Sequence, residues 1–171
     1  GVRIYGRNGR FEDTFAFLDD GSHVTMIERD LAVKLKLPGE LEDLTLKWTK
    51  NITRKEAAFR CSLKISGLEN STINRFDDVY AVDELSLSTQ SQNAEKLQEE
   101  YEYLRGVKIP SYTNAKPRIL IGLDQAKFLT CSQPIVGENN SMPCAVETAF
   151  GIVVYGRTSI SGSKSTLSSH H

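Results

Sequence analysis

Two adjacent carboxylates, a glycine and a hydroxyl stand together in Asp19-Asp20-Gly21-Ser22, directly behind the apolar run Thr14-Phe15-Ala16-Phe17-Leu18. Proton transfer is the chemistry such side chains can do: a carboxylate activates water as a base, and a carboxyl group returns the proton as an acid. A lone Asp-Asp-Gly-Ser is most often only a solvated turn. The flanks set this one apart. A strand-like run precedes it, Val24-Thr25-Met26-Ile27 follows it, and far along the chain stands a second apolar-apolar-glycine series, Ile119-Leu120-Ile121-Gly122. The other acid pairs, Asp77-Asp78 and Asp83-Glu84, read as solvated strand ends rather than a divalent-ion site. Cys61, Cys131 and Cys144 lack C-x-x-C spacing and are odd in number, which fits a reducing compartment. A zinc site would need all three on His23, since the remaining histidines are His170 and His171, and no metal is expected.

The 171 residues, 39% hydrophobic and 25% charged, suffice for one globular domain with a sizeable core. Lys and Arg number 21 against 22 Asp and Glu, a net charge of -1, so nothing in the balance favours nucleic acid as a partner. No apolar run approaches a membrane span. The domain is expected over 1–157, with 158–171 a disordered, Ser-rich tail or purification-tag remnant. With no signal peptide in view, the sequons at Asn51, Asn70 and Asn139 are expected to stay unmodified.

Strands dominate the elements that must position the acid turn. Residues 2–5 and 14–18 read as a hairpin about Gly6-Arg7-Asn8-Gly9, and 24–27 as a strand after the acid turn. Ile27, Leu31 and Leu35 recur at helical spacing through 28–37, stopped by Pro38-Gly39. Residues 44–48 and 59–65 predict a long hairpin with its tip near Lys50-Asn51, and 79–82 a further strand. Ala94, Leu97, Tyr101 and Leu104 predict a second helix over about 92–105, ended by Gly106. Strands at 118–122 and 149–156 complete the set, with a helical turn over 124–129.

These residues carry a resemblance. Phe17-Leu18-Asp19-Asp20-Gly21-Ser22 with Thr25-Met26-Ile27 looks like the apolar-apolar-Asp-Thr/Ser-Gly-Ala/Ser signature of aspartic proteases, and Ile119-Leu120-Ile121-Gly122 like their second apolar-glycine element. Joined in order by Leu46-Lys47-Trp48-Thr49, Tyr103-Leu104-Arg105-Gly106, Leu123-Asp124 and Thr148-Ala149-Phe150-Gly151, they resemble the retropepsin-like proteases of Pao/BEL retrotransposons over nearly all of 1–157.

The resemblance implies an all-β acid-protease fold: a closed, six-stranded type of barrel with a flap hairpin and one or two short helices. It implies a site built from two Asp-x-Gly loops. The chain holds one, at Asp19-Asp20-Gly21, so a complete site implies a homodimer. Two carboxylates a few ångströms apart cannot both ionise; the proton they share lets the pair act as base and acid together. By the same likeness Asp19 is the catalytic residue, and Asp20, Gly21 and Ser22 form the active-site loop and dimer clasp. Trp48, Thr49, Lys50 and Asn51 form the flap, and His23, Leu120, Ile121 and Gly122 border the substrate pocket. No metal or organic cofactor is implied. The substrates would be extended polyprotein segments, and the place of action the cytoplasm, within retroelement particles.

Three departures from the family pattern stand out. Asp20 occupies the place of a hydroxyl that both donates and accepts, whereas an ionised carboxylate only accepts. The flap tip, Trp48-Thr49-Lys50-Asn51-Ile52-Thr53, has no glycine, and Leu123 stands where retroviral enzymes carry an arginine. These departures keep an alternative in view: an inactive or domesticated fold serving as a peptide-binding or assembly module.

Overall fold

The computed structural model describes residues 1–47, 53–69 and 72–156. β1 (Val2–Tyr5) and β2 (Phe11–Leu18) form the expected antiparallel hairpin, in register from Val2↔Thr14 to Tyr5↔Phe11. Its turn places Asn8 and Gly9 at φ of 56° and 71°, a left-handed geometry that these two residue types adopt at low cost. After the Asp19 turn come β3 (Thr25–Glu28) and the short helix α1 (Arg29–Lys34). The helix is shorter than the periodicity of 28–37 predicts. Leu31 and Leu35 are buried as expected, but Lys36 takes a φ of 52° and ends the helical path before Pro38.

β4 (Gly39–Lys47) and β5 (Thr53–Gly67) make a hairpin longer than expected, paired from Gly39↔Cys61 to Lys47↔Thr53, and β6 (Asn74–Val82) returns along β5. Two further strands, β7 (Gln90–Gln92) and β8 (Tyr112–Ala115), pair with each other. β9 (Pro117–Ile121) then enters between β2 and β3, parallel to β2 and antiparallel to β3. β3 pairs in parallel with β6, and β5 pairs with β1. The ring β1-β2-β9-β3-β6-β5 thus closes into a six-stranded mixed barrel, with β4 on the outer side of β5. Closure leaves the ring without an edge of its own. Ile4, Ile27, Ile65, Phe76, Ile119 and Ile121 fill it, and α1 caps it through Leu31 and Leu35.

Between β6 and β9 the chain leaves the barrel. Here α2 (Ala94–Glu100) is capped by the Asn93 side chain, which accepts from Lys96 N at 3.0 Å. The predicted helix over 92–105 is therefore cut short: Tyr101 is extended, and Glu102–Leu104 continues as a separate 3-10 turn. The break lets the Tyr103 hydroxyl donate to the Pro143 carbonyl. Leu97, Leu104 and Ile109 pack on Ala145, Ile152 and Val154 of a terminal hairpin, β10 (Cys144–Thr148) and β11 (Gly151–Tyr155). The excursion thus backs that hairpin. No helix among the described residues is long and apolar enough to cross a membrane.

Candidate functional site

Asp19 is the first residue beyond β2, and its N–H donates to the Ile121 carbonyl at 3.0 Å, extending the parallel β2–β9 pairing by one step. The chain then turns on itself. Gly21 N donates to Asp19 Oδ1 at 2.9 Å, and Ser22 N to the Asp19 carbonyl at 3.3 Å. A Cβ at Gly21 would stand 3.1 Å from Oδ1, so the glycine leaves room for the carboxylate to fold back. Asp19 is half-buried, and its Oδ2 has no partner among the described residues. One such carboxylate can take a proton from water or give one, but not both in a single step.

A second set of contacts locks the two loops together. Leu123 N donates to the Ser22 carbonyl at 2.9 Å, and Gly122 passes so close that a Cβ there would lie 2.6 Å from the Val24 carbonyl oxygen and 2.8 Å from that of Ser22. Gly122 N donates to Thr25 Oγ1 at 3.1 Å, and that hydroxyl donates to Asp124 Oδ1 at 2.7 Å. Asp124 Oδ2 accepts from Thr25 N at 3.0 Å. Thr25 is completely buried. At the other end of β3, the buried Glu28 accepts from Arg118 Nε at 2.8 Å, and Arg118 also donates to Asp30. The β3–β9 pair is therefore held at both ends, and the acid turn adjoins its Thr25–Gly122 end.

The other predicted residues fall variously around this turn. Asp20 and His23 are exposed. Ser22 is half-buried with its hydroxyl turned inward, donating to the Val24 carbonyl at 2.8 Å. Leu120 packs outside the barrel with Met26, Val82 and Leu85, whereas Ile121 is sealed within the barrel core. The expectation that both line one pocket fails for a simple reason: neighbours on a strand face opposite sides. Gly122 borders the turn as a close-approach residue. The flap residues Trp48, Thr49, Lys50 and Asn51 lie outside the described residues, as does the tail 158–171. Sequence reasoning missed the brace between Thr25 and Asp124, for which periodicity gives no signal.

Beside β2 lies an open groove of about 250 Å³, lined by Phe15, Leu18, Tyr112, Phe150 and Val153 among others. Tyr155, at the end of β11, lies close enough to the acid turn that its phenol is raised above the ordinary value, first by burial and then by the charge of Asp20. Among the described residues no group of three or more His, Cys, Asp or Glu side chains could hold a metal ion. Set against family models, curated proteins and solved structures, the chain finds no match.

Proposed function

We propose that the chain is one half of a retropepsin-like aspartic endopeptidase from a retroelement polyprotein, completed by a second copy and acting on extended polyprotein segments. The observation that carries this reading is the setting of Asp19. Its backbone is tied to Ile121, Gly21 orients one carboxylate oxygen, and the other is left without a partner among the described residues. Across a two-fold axis, two such carboxylates would share one proton; one activates water while the other protonates the scissile carbonyl. Residue types at 19, 21 and 122 agree with the resemblance, and the mixed barrel accommodates it.

Asp20, exposed where the family carries a hydroxyl, favours the second reading of a peptide-binding or assembly module without catalysis. A polyprotein-derived peptide and a statine-type transition-state analogue separate the two. The endopeptidase cleaves the peptide and is inhibited by the analogue; Asp19→Asn abolishes cleavage while the circular dichroism spectrum stays unchanged, because an amide neither activates water nor shares the proton. Cleavage unaffected by Asp19→Asn rejects Asp19 as the catalytic residue, and peptide binding without cleavage favours the module.

A further inference from the structure

The outer face of the barrel carries a row of rings and cations. Tyr5 on β1 stands opposite Phe11 of β2 on one side and Lys64 of β5 on the other, and Lys64 in turn stands opposite Arg75 of β6. Residues paired directly across strands share a face, and the chain neighbours Ile4, Ile65 and Phe76 point into the core, so these four side chains line up across the outside of the ring. Phe11, Lys64 and Arg75 are exposed, Phe11 by 53%. Tyr5 is half-buried with its hydroxyl hydrogen-bonded to Ser66 Oγ at 3.1 Å, so what it offers a ligand is its ring. The Arg3 guanidinium lies 4.3 Å from the Phe11 ring centroid and adds a second flat surface beside it.

More cations gather at the end of this row. The turn between Tyr5 and Phe11 carries Arg7 and Arg10 and is tied to the end of α1, where Arg7 N donates to the Leu35 carbonyl at 3.0 Å and Arg10 Nη1 to that of Lys34 at 3.1 Å. Lys36 follows, and the Pro38 carbonyl then accepts from Ser62 N on β5 at 3.0 Å, so the Lys36 backbone lies between the turn and the strand that bears Lys64. Arg3, Lys34 and Arg75 each pair with an acid, Asp13, Glu12 and Asp77. Arg7, Arg10, Lys36 and Lys64 have no acidic partner among the described residues. The chain as a whole nets -1, so this surplus is local. Two of its details work against stability. Lys64 and Arg75 are like charges directly opposed on a sheet, and Lys36 holds a φ of 52° at a helix end where glycine is the usual occupant. A bound anion relieves the first and uses the cation placed by the second.

We propose that this belt binds a single strand of nucleic acid, its phosphates on Arg7, Arg10, Lys36 and Lys64 and its bases laid against Phe11 and Tyr5. Such binding is separate from the peptidase reading and uses no residue of the acid turn. Charge selects a polyanion, and the rings choose among polyanions: an acidic peptide chain has no flat aromatic face to set on Phe11 and Tyr5, whereas every base has one. A duplex keeps its bases stacked inside and brings only phosphates to the cations. The row crosses four strands, about 15 Å. The shortest single-strand sites, of about four nucleotides, fit that span.

Fluorescence anisotropy of the full chain with a labelled oligouridylate of about 12 nucleotides tests the belt. Contact with about four phosphates gives a slope of about -3 for log affinity against log salt concentration. Lys36→Gly removes a cation while suiting the backbone, so the urea midpoint is expected to hold or rise as binding weakens by about fivefold and the slope becomes shallower by about 0.7. Lys64→Gln is expected to act alike. Phe11→Ala, checked for folding by circular dichroism, weakens binding by about fivefold or more with the slope unchanged, because stacking releases no counterions. Lys96→Gln, on α2 of the excursion, is the control and leaves affinity unchanged. Absence of binding in dilute salt overturns the proposal. So does binding that Lys96→Gln weakens as much as Lys36→Gly, the mark of diffuse charge attraction. Equal affinity for polyglutamate or for a duplex of the same length, or indifference to Phe11→Ala, leaves a polyanion patch without a single-strand site and overturns it as well. Asp19 and its turn take no part, so none of these outcomes bears on the peptidase reading.

Discussion

Thr25 is a small side chain with two tasks: its hydroxyl accepts from Gly122 and donates to Asp124, so it fixes where β9 ends relative to the acid turn. Thr25→Val keeps the shape and removes both bonds, leaving the buried Gly122 N–H without its acceptor and the exposed Asp124 carboxylate short of a donor. A loss of about 1.5–3 kcal/mol is expected, read as a lower urea midpoint. Gly122→Ala forces a methyl against two backbone oxygens that cannot rotate away, and costs about 1–3 kcal/mol by the same measurement. At Asp20 the effect is on association: under the proposed two-copy assembly, Asp20→Thr supplies a hydroxyl that both donates and accepts, and a lower dimer dissociation constant is expected in sedimentation. At this scale the Asp19 turn was legible because Asp, Gly and an apolar run are local signals. The Thr25–Asp124 brace was not, since its partners meet only through the tertiary fold.

Among the elements, strands with alternating or compact apolar runs were legible, and so was the β1–β2 turn. Two features misled. Helical spacing at Ala94, Leu97, Tyr101 and Leu104 suggested one helix, yet the chain opens at Tyr101 so that Tyr103 can reach Pro143. β10 went unseen because Pro143 ahead of it and Glu147 within it blur the strand pattern. The parallel pairing of β2 with β9 and of β3 with β6 is likewise silent in the sequence, because it depends on what lies between. The packing of the excursion on the terminal hairpin makes a prediction of its own. Leu104→Ala empties a fully buried site in that cluster, and such truncations cost about 2–5 kcal/mol. Hydrogen exchange is expected to quicken at β10 and β11 while barrel amides stay protected, because Leu104 does not belong to the barrel cluster.

For the molecule as a whole, Cys61 reports on barrel closure. It is buried inside the ring, and burial pushes its thiol up to about 12, whereas Cys131 is exposed. At pH 8 a thiol reagent is expected to label Cys131 promptly and Cys61 only as fast as the barrel opens, so denaturant that lowers stability accelerates the second reaction in proportion. Cys61 labelling as rapid as that of Cys131 would show a barrel that does not stay closed. The order of strands in the ring also governs timing. β2 and β3 flank the acid turn early in the chain, but the strand that separates them spans Pro117–Ile121. Until that stretch has been synthesised, the slot between β2 and β3 stands empty, and Asp19 lacks the carbonyl that holds it. A chain growing from its N-terminus therefore carries its acid turn unassembled until Ile121 has been added, and the carboxylate gains its fixed geometry only when a later strand fills an earlier gap.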